Sequence, residues 1–137
     1  INLYGPFVLT REISKIMKKN KYGRIVNIAS IFGVISREKR AAYSSTKSGL
    51  IGLTKATAHD LAKDNILVNS ISPGFINTEL TKNILGEKSM KEISSSIPLK
   101  RLGDPDEIAK LVLFLTSDQN TYITGENIII DGGYTIA

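Results

Sequence analysis

Asn65–Gly74 reads Asn-Ile-Leu-Val-Asn-Ser-Ile-Ser-Pro-Gly. Its first seven residues form a short apolar, β-branched run. That predicts a strand over 65–71, which Ser72-Pro73-Gly74 is expected to break. Outward from it, Arg24–Ala29 (RIVNIA) predicts an earlier strand, and Glu126–Asp131 (ENIIID) a later one closed by Gly132-Gly133. Helices fill the intervals. Phe7, Val8, Ile13, Ile16 and Met17 keep a roughly helical period over 7–19. Ala41–Lys63 reads as one long helix rich in small residues, and 77–96 as one or two short helices on a polar segment. Asp104-Pro105-Asp106-Glu107 opens a further helix running to about Thr116. There Asp104 can cap free N–H groups, Pro105 suits the first helical position and the acids favour the positive end. Strands thus alternate with helices, and two of the strands are strongly apolar. This is the pattern of a parallel sheet covered on both faces. The class is α/β, doubly wound. Ligands on such sheets bind beyond the carboxyl ends of the strands, which here are Ser30, Ser72-Pro73-Gly74 and Asp131.

The chain has 137 residues, 42% hydrophobic and 23% charged, so a packed core is expected. It has no cysteine and one histidine, His59. A disulfide scaffold, a thiolate metal site and a cysteine nucleophile are excluded, and a Ser-His-Asp triad is hard to build; no metal site is expected. No apolar run approaches the length of a membrane span, and the N-terminus lacks the order of a signal peptide. A cytoplasmic location without membrane association is the default. Net charge is +5, partly from Arg11, Lys15, Lys18, Lys19, Lys21 and Arg24. These lack interleaved aromatics and match no nucleic-acid motif, so they read as the solvated end of a surface helix rather than as a nucleic-acid patch. His59 reads as a surface residue.

Tyr43 and Lys47 are four apart on the long helix and share a face. A phenol is a poor acid or base at neutral pH, but an ammonium beside it stabilises the phenolate and makes proton transfer workable. The pair can equally be a surface tyrosine packed on a lysine stem. Ser30, thirteen residues before Tyr43 and just past a strand, can bring a second hydroxyl to the same place. Two hydroxyls converging on one carbonyl oxygen would polarise it and deliver a proton. Pro73-Gly74-Phe75-Ile76-Asn77-Thr78 breaks the chain after a strand, where backbone groups can face a ligand and Thr78 can donate to a phosphate or amide. A plain turn and helix cap is the other reading. Arg37-Glu38-Lys39-Arg40 reads as a solvated loop, though between Ser30 and Tyr43 it can also border a substrate mouth with positive charge.

These residues carry a resemblance. Asn2-Leu3-x-Gly5-x-Phe7, Arg24-Ile-Val-Asn-Ile-Ala-Ser30, Tyr43-Ser-Ser-Thr-Lys47, Asn69-Ser-Ile-Ser-Pro73-Gly74 and Thr124-Gly125-Glu126 … Asp131-Gly132-Gly133 stand in order over the whole chain. Together they resemble the C-terminal half of a short-chain dehydrogenase/reductase, similar in general features to 3-oxoacyl-acyl-carrier-protein reductases and to reductases of sugar and surface-polysaccharide pathways. The resemblance implies the last three strands, with their helices, of a Rossmann-type parallel sheet. It also implies an oxidoreductase that interconverts a carbonyl and a secondary alcohol by hydride transfer with NAD or NADP. Tyr43 would be the general acid/base, Ser30 would orient the substrate oxygen, and Lys47 would favour the phenolate and bind the nicotinamide ribose. Asn2 would offer its main-chain carbonyl to a water in the proton relay. Pro6, which has no N–H, would leave that carbonyl without its usual helical partner. Tyr43, Lys47, Pro73, Gly74, Ile76 (through its backbone) and Thr78 would contact the cofactor, and Glu79–Ser96 would cover the substrate.

The family's Gly-rich phosphate loop has no counterpart here, because no Gly-x-Gly occurs in the chain. Residues 1–137 are therefore expected to be the catalytic half of an NAD(P)-binding Rossmann domain, in a fragment or a truncated gene product. Its first strand would keep an open edge. The chain alone is expected to bind cofactor weakly and to turn nothing over. The alternative is a truncated, inactive module that acts only in subunit association. Expected partners are a small carbonyl or alcohol substrate, acyl-carrier-bound or sugar-derived, and further copies of the chain in a homodimer or homotetramer.

Overall fold

The computed structural model describes residues 2–137. Three strands, β1 (Gly23–Ile28), β2 (Ile66–Pro73) and β3 (Asn127–Ile130), form one parallel sheet in the order β1-β2-β3. Four helices accompany them: α1 (Tyr4–Asn20), α2 (Ala41–Leu61), α3 (Glu79–Ser96) and α4 (Pro105–Thr116). Residues Ile66 through Ser72 are buried without a break, which requires cover on both faces of β2. On one side α1 and α2 pack together, and Ala58 and Leu61 meet Ile66 and Val68, with Met17 and Ile25 against them. Helix α4 packs on the same two strands through a segment whose Leu115 is fully buried.

Several boundaries differ from expectation, three of them for a clear local reason. Helix α1 starts at Tyr4, before the expected residue 7. Pro6 falls in the first turn, where its missing N–H is one that no helix pairs. Its effect is to set the start: the first intrahelical bond runs from Phe7 N–H to Leu3 O at 3.1 Å, and Asn2 stays outside the helix. The long helix ends at Leu61 rather than Lys63, because Ala62–Asp64 tightens into a 3-10 turn capped by left-handed Asn65.

Strand β2 continues through Ser72 to Pro73, where a break at Ser72 was expected. The two edges of β2 explain this. Pairing with β1 stops at Ala29 N–H donating to Ile71 O, while pairing with β3 runs on to Gly74 N–H donating to Ile130 O. Main-chain groups alternate sides along a strand. The N–H that Pro73 lacks is therefore one that would face β1, past that strand's end, and no bond to β3 is lost. A proline is tolerated here because β1 has already ended, and β2 stays joined to β3.

Helix α3 holds Gly86 at φ 71° and ψ 163°, a kink that divides it in two. Helix α4 opens as expected, with Glu107 accepting from the Asp104 N–H at 2.8 Å. Among the described residues, no helix is long and apolar enough to cross a membrane.

Candidate active site

Two groups of residues stand at the carboxyl ends of β1 and β2. On the β1 side stand Ser30, Tyr43 and Lys47. Ser30 is buried at the turn that follows β1, and its Oγ accepts from the Phe32 N–H at 3.2 Å. The hydroxyl proton is left to point elsewhere. Tyr43 lies in the first turn of α2 and is partly exposed. Phe32, two residues past Ser30, sets its ring edge-on to the Tyr43 ring, with centroids 6.4 Å apart. That contact ties the serine's turn to the tyrosine's helix.

Lys47 lies one helical turn beyond Tyr43, with its Nζ 5.8 Å from the ring centroid. The ammonium donates to Ile28 O at 2.8 Å. Gly23 and Ala29 N–H bond toward β2, so Ile28, of the opposite parity, turns its main-chain groups to the open edge. Lys47 therefore reaches along the underside of that edge to the last carbonyl of β1. Partial burial there pulls its pKa below the usual lysine value, because desolvation disfavours the charged form. Asn2 and Lys47 line the same open groove, together with Pro6, Asn27 and Ile28. Among the described residues no main-chain N–H reaches the Asn2 carbonyl.

On the β2 side the chain makes its contacts with backbone. A Cβ on Gly74 would come within 2.7 Å of Asp131 Cβ and 2.8 Å of Asp131 Cα, so only glycine fits where β2 and β3 end together. Beyond it, Gly103 N–H donates to Phe75 O at 3.0 Å and Asn77 N–H donates to Gly103 O at 2.8 Å, bridging the turn to the approach of α4. The Ile76 carbonyl accepts from Thr78 N–H at 3.0 Å, and its own N–H has no acceptor among the described residues. Thr78 is the N-cap of α3: its Oγ1 accepts from Thr81 N–H at 3.1 Å and pairs with the Thr81 hydroxyl.

A row of aromatic rings, not foreshadowed by any sequence motif, joins the two sides. Four rings stack edge to face: Tyr43 on Phe32, Phe32 on Phe75 at 6.1 Å, and Phe75 on Tyr134 at 5.1 Å. Each of the two middle phenylalanines lies two residues beyond a site residue, Ser30 or Pro73. That local signal is the one that could have marked them. The basic residues from Arg11 to Arg24 are largely engaged with the protein's own groups. Arg11 and Lys15 pair with Glu12, Lys21 pairs with Asp64, and Arg24 donates to the carbonyls of Asn120, Gly23 and Asn65. His59 is exposed, as expected of a surface residue.

A parallel α/β sheet with Ser30, Tyr43 and Lys47 at one strand end points to a class, and comparison with known proteins shows the family. A family model described as enoyl-(acyl carrier protein) reductase matches residues 1–135, and the chain belongs to the short-chain dehydrogenase/reductase family. It is 46% identical over 133 residues to a 3-oxoacyl-(acyl-carrier-protein) reductase of Aquifex aeolicus, a match covering 97% of this chain and 53% of that protein. The structure resembles a 4-hydroxyisoleucine dehydrogenase complexed with NADH, at 45% identity and a TM-score of 0.93, over 100% of this chain and 57% of that one. It also resembles NADP-bound ElxO, at 38% identity and a TM-score of 0.93, over 99% of this chain and 56% of that one. The chain spans about half the length of the curated relatives it matches, and its fold is the C-terminal part of the family's Rossmann-like α/β sheet.

Proposed function

We propose that residues 1–137 form the catalytic half of an NAD(P)-binding Rossmann domain, in an oxidoreductase that interconverts a carbonyl and a secondary alcohol. The observation that supports this most is the gathering of Ser30, Tyr43 and Lys47 at the carboxyl end of β1, with Phe32 tying the serine's turn to the tyrosine's helix. The donors present fit the nicotinamide-ribose end of a dinucleotide. The Lys47 ammonium stands at the end of β1, and the unpaired Ile76 N–H and the Thr78 hydroxyl follow the end of β2. Pairing of β2 with β1 ends at Ile71, and such a ring would lie past that point. A reduced nicotinamide, when bound, supplies hydride to the carbonyl carbon.

The chain's own residues manage the oxygen and the proton. Ser30 Oγ–H donates to the substrate oxygen and fixes it. Tyr43 Oη delivers its proton to that oxygen as charge develops, and the Lys47 ammonium stabilises the phenolate left behind. Lys47 and the Asn2 carbonyl border one groove, and a water held there returns a proton from solvent. Alcohol oxidation runs the same steps backwards, with Tyr43 as base. The substrate is a small carbonyl or alcohol, acyl-carrier-bound or sugar-derived, in the cytoplasm. The exposed Tyr4 and Phe7 on α1 support association into a homodimer or homotetramer.

The test is Tyr43→Phe in the protein that carries these residues. Turnover is expected to fall by about 10²- to 10⁴-fold, with NAD(P)H binding, read by nicotinamide fluorescence, nearly unchanged. A near-normal rate in the variant would remove the role assigned to Tyr43. The 137 residues alone are expected to bind NAD(P)H weakly and to oxidise none with any ketone.

A further inference from the structure

Between Ser30 and Tyr43 the chain makes a loop whose two arginines converge on one ring. Arg37 Cζ lies 5.2 Å from the centroid of Phe32, and Arg40 Cζ 5.8 Å from the same centroid. That ring is itself edge-on to Tyr43. The loop is anchored: Ser36 Oγ and Ser44 Oγ are 2.8 Å apart in a hydrogen bond, one residue before Arg37 and one after Tyr43. Lys39, left-handed at φ 60°, makes the tight turn between the two arginines. Neither Arg37 nor Arg40 has a carboxylate within ion-pair distance among the described residues, although Glu38 stands between them. Arg37 is exposed and Arg40 half-buried.

Two like charges held on one ring repel each other, and the pair is most stable with an anion between or beside them. A guanidinium stacked on a ring by its face keeps its edge N–H groups for a carboxylate or phosphate. Resting on the assignment of Tyr43 as the proton donor, we propose that Arg37 and Arg40 form an anion subsite. It would select substrates bearing a carboxylate or phosphate several bonds from the reacting carbonyl. The carbonyl lies at Tyr43 and the anion one ring away, past Phe32. A neutral ketone would meet the same catalytic groups without this contact.

The experiment compares 4-oxopentanoate with its methyl ester in the protein that carries these residues, and in the double variant Arg37→Gln/Arg40→Gln. The acid is expected to exceed the ester in kcat/KM by about 10- to 100-fold, mostly through KM. The double variant should bring that ratio close to one and leave the ester rate in place. A ratio unchanged by the double variant would overturn the subsite. A packing role for the arginines would move acid and ester alike and overturn it too.

Turnover of neither probe would count against the Tyr43 chemistry, and the subsite would then be decided by binding. Saturable shifts of the Arg37 and Arg40 Nε–H signals with 4-oxopentanoate and not with its ester support it; their absence overturns it. Free phosphopantetheine separates the sources of the anion. Saturation at both arginines assigns a carrier arm. Silence there, beside a response to 4-oxopentanoate, assigns a free oxo acid.

Discussion

The ends of β1 and β2 are built on different principles. On the β1 side the proposed working atoms are side chains, Ser30 Oγ, Tyr43 Oη and Lys47 Nζ, on a turn and a helix joined by the Phe32 ring. On the β2 side they are mostly main-chain groups of Pro73–Thr78, held by Gly103 and by the close approach of Gly74 to Asp131. A side-chain site can lose its chemistry and keep its fold. A backbone site cannot be altered without disturbing what holds it. Substitutions on the β1 side should therefore separate activity from stability, and those on the β2 side should move the two together.

After Tyr43→Phe, the largest effect is expected from Lys47→Ala. It removes the ammonium proposed to stabilise the phenolate, so turnover should fall by about 10²- to 10³-fold. Its one hydrogen bond, to Ile28 O, is solvent-accessible, so the melting temperature should barely move. A loss of several degrees would mean that Lys47 belongs to the framework as much as to the chemistry.

Gly74→Ala tests the opposite side. The new methyl would meet Asp131 main-chain and Cβ atoms that have no free end to swing away. Overpacking of this kind costs about 1–3 kcal/mol, measurable by urea unfolding, and nicotinamide affinity should fall with it. Gly52→Ala is the control, since a methyl there would meet nothing within 4 Å and the residue sits mid-helix in α2. That change should stabilise by about 0.5–1 kcal/mol. Thr78→Ala comes next, at about 1 kcal/mol for a lost N-cap. Thr78→Ser keeps the cap, so a fall in cofactor affinity in the alanine variant alone would separate the hydroxyl's ligand role from the methyl's packing.

The same contrast governs what could be read from the sequence. Strand β2 and the Tyr43–Lys47 face were legible because period and spacing are local properties of the chain. The continuation of β2 through Pro73 was not, because whether a missing N–H matters depends on which neighbour it would face. Nor was the Tyr43–Phe32–Phe75–Tyr134 row, whose members come from four separate stretches and meet only after the sheet has formed. Asn69 appeared only as part of a motif. In the fold its buried amide donates to Ile123 O at 2.8 Å and accepts from Glu126 N–H at 3.1 Å, pinning β2 to the lead-in of β3. A polar residue inside an apolar run signals such a bond, but names no partner.

The smallest effect should come from the clamp behind the β2 side, and it should depend on pH. Arg101 donates both guanidinium arms to Glu107, at 2.7 and 2.8 Å, and Glu107 also accepts from the Asp104 N–H. These bonds pull the Glu107 carboxyl down to about 2, with the Arg101 hydrogen bond the larger cause and the Asp104 N–H the next. A carboxylate whose pKa is lower folded than unfolded stabilises the fold above its unfolded value, near 4.5. That stabilisation is lost as pH falls from there toward about 2. Glu107→Gln should therefore melt lower than the parent at pH 7, and the gap should close as pH drops below about 4. Both groups are solvent-exposed, so the gap should be small and should narrow further with added salt. Because the clamp sits next to Gly103, which braces the Phe75–Asn77 turn, cofactor affinity should follow the same pH course. A gap that stays constant from pH 7 to pH 3 would show that Glu107 acts on the turn by packing and not by charge.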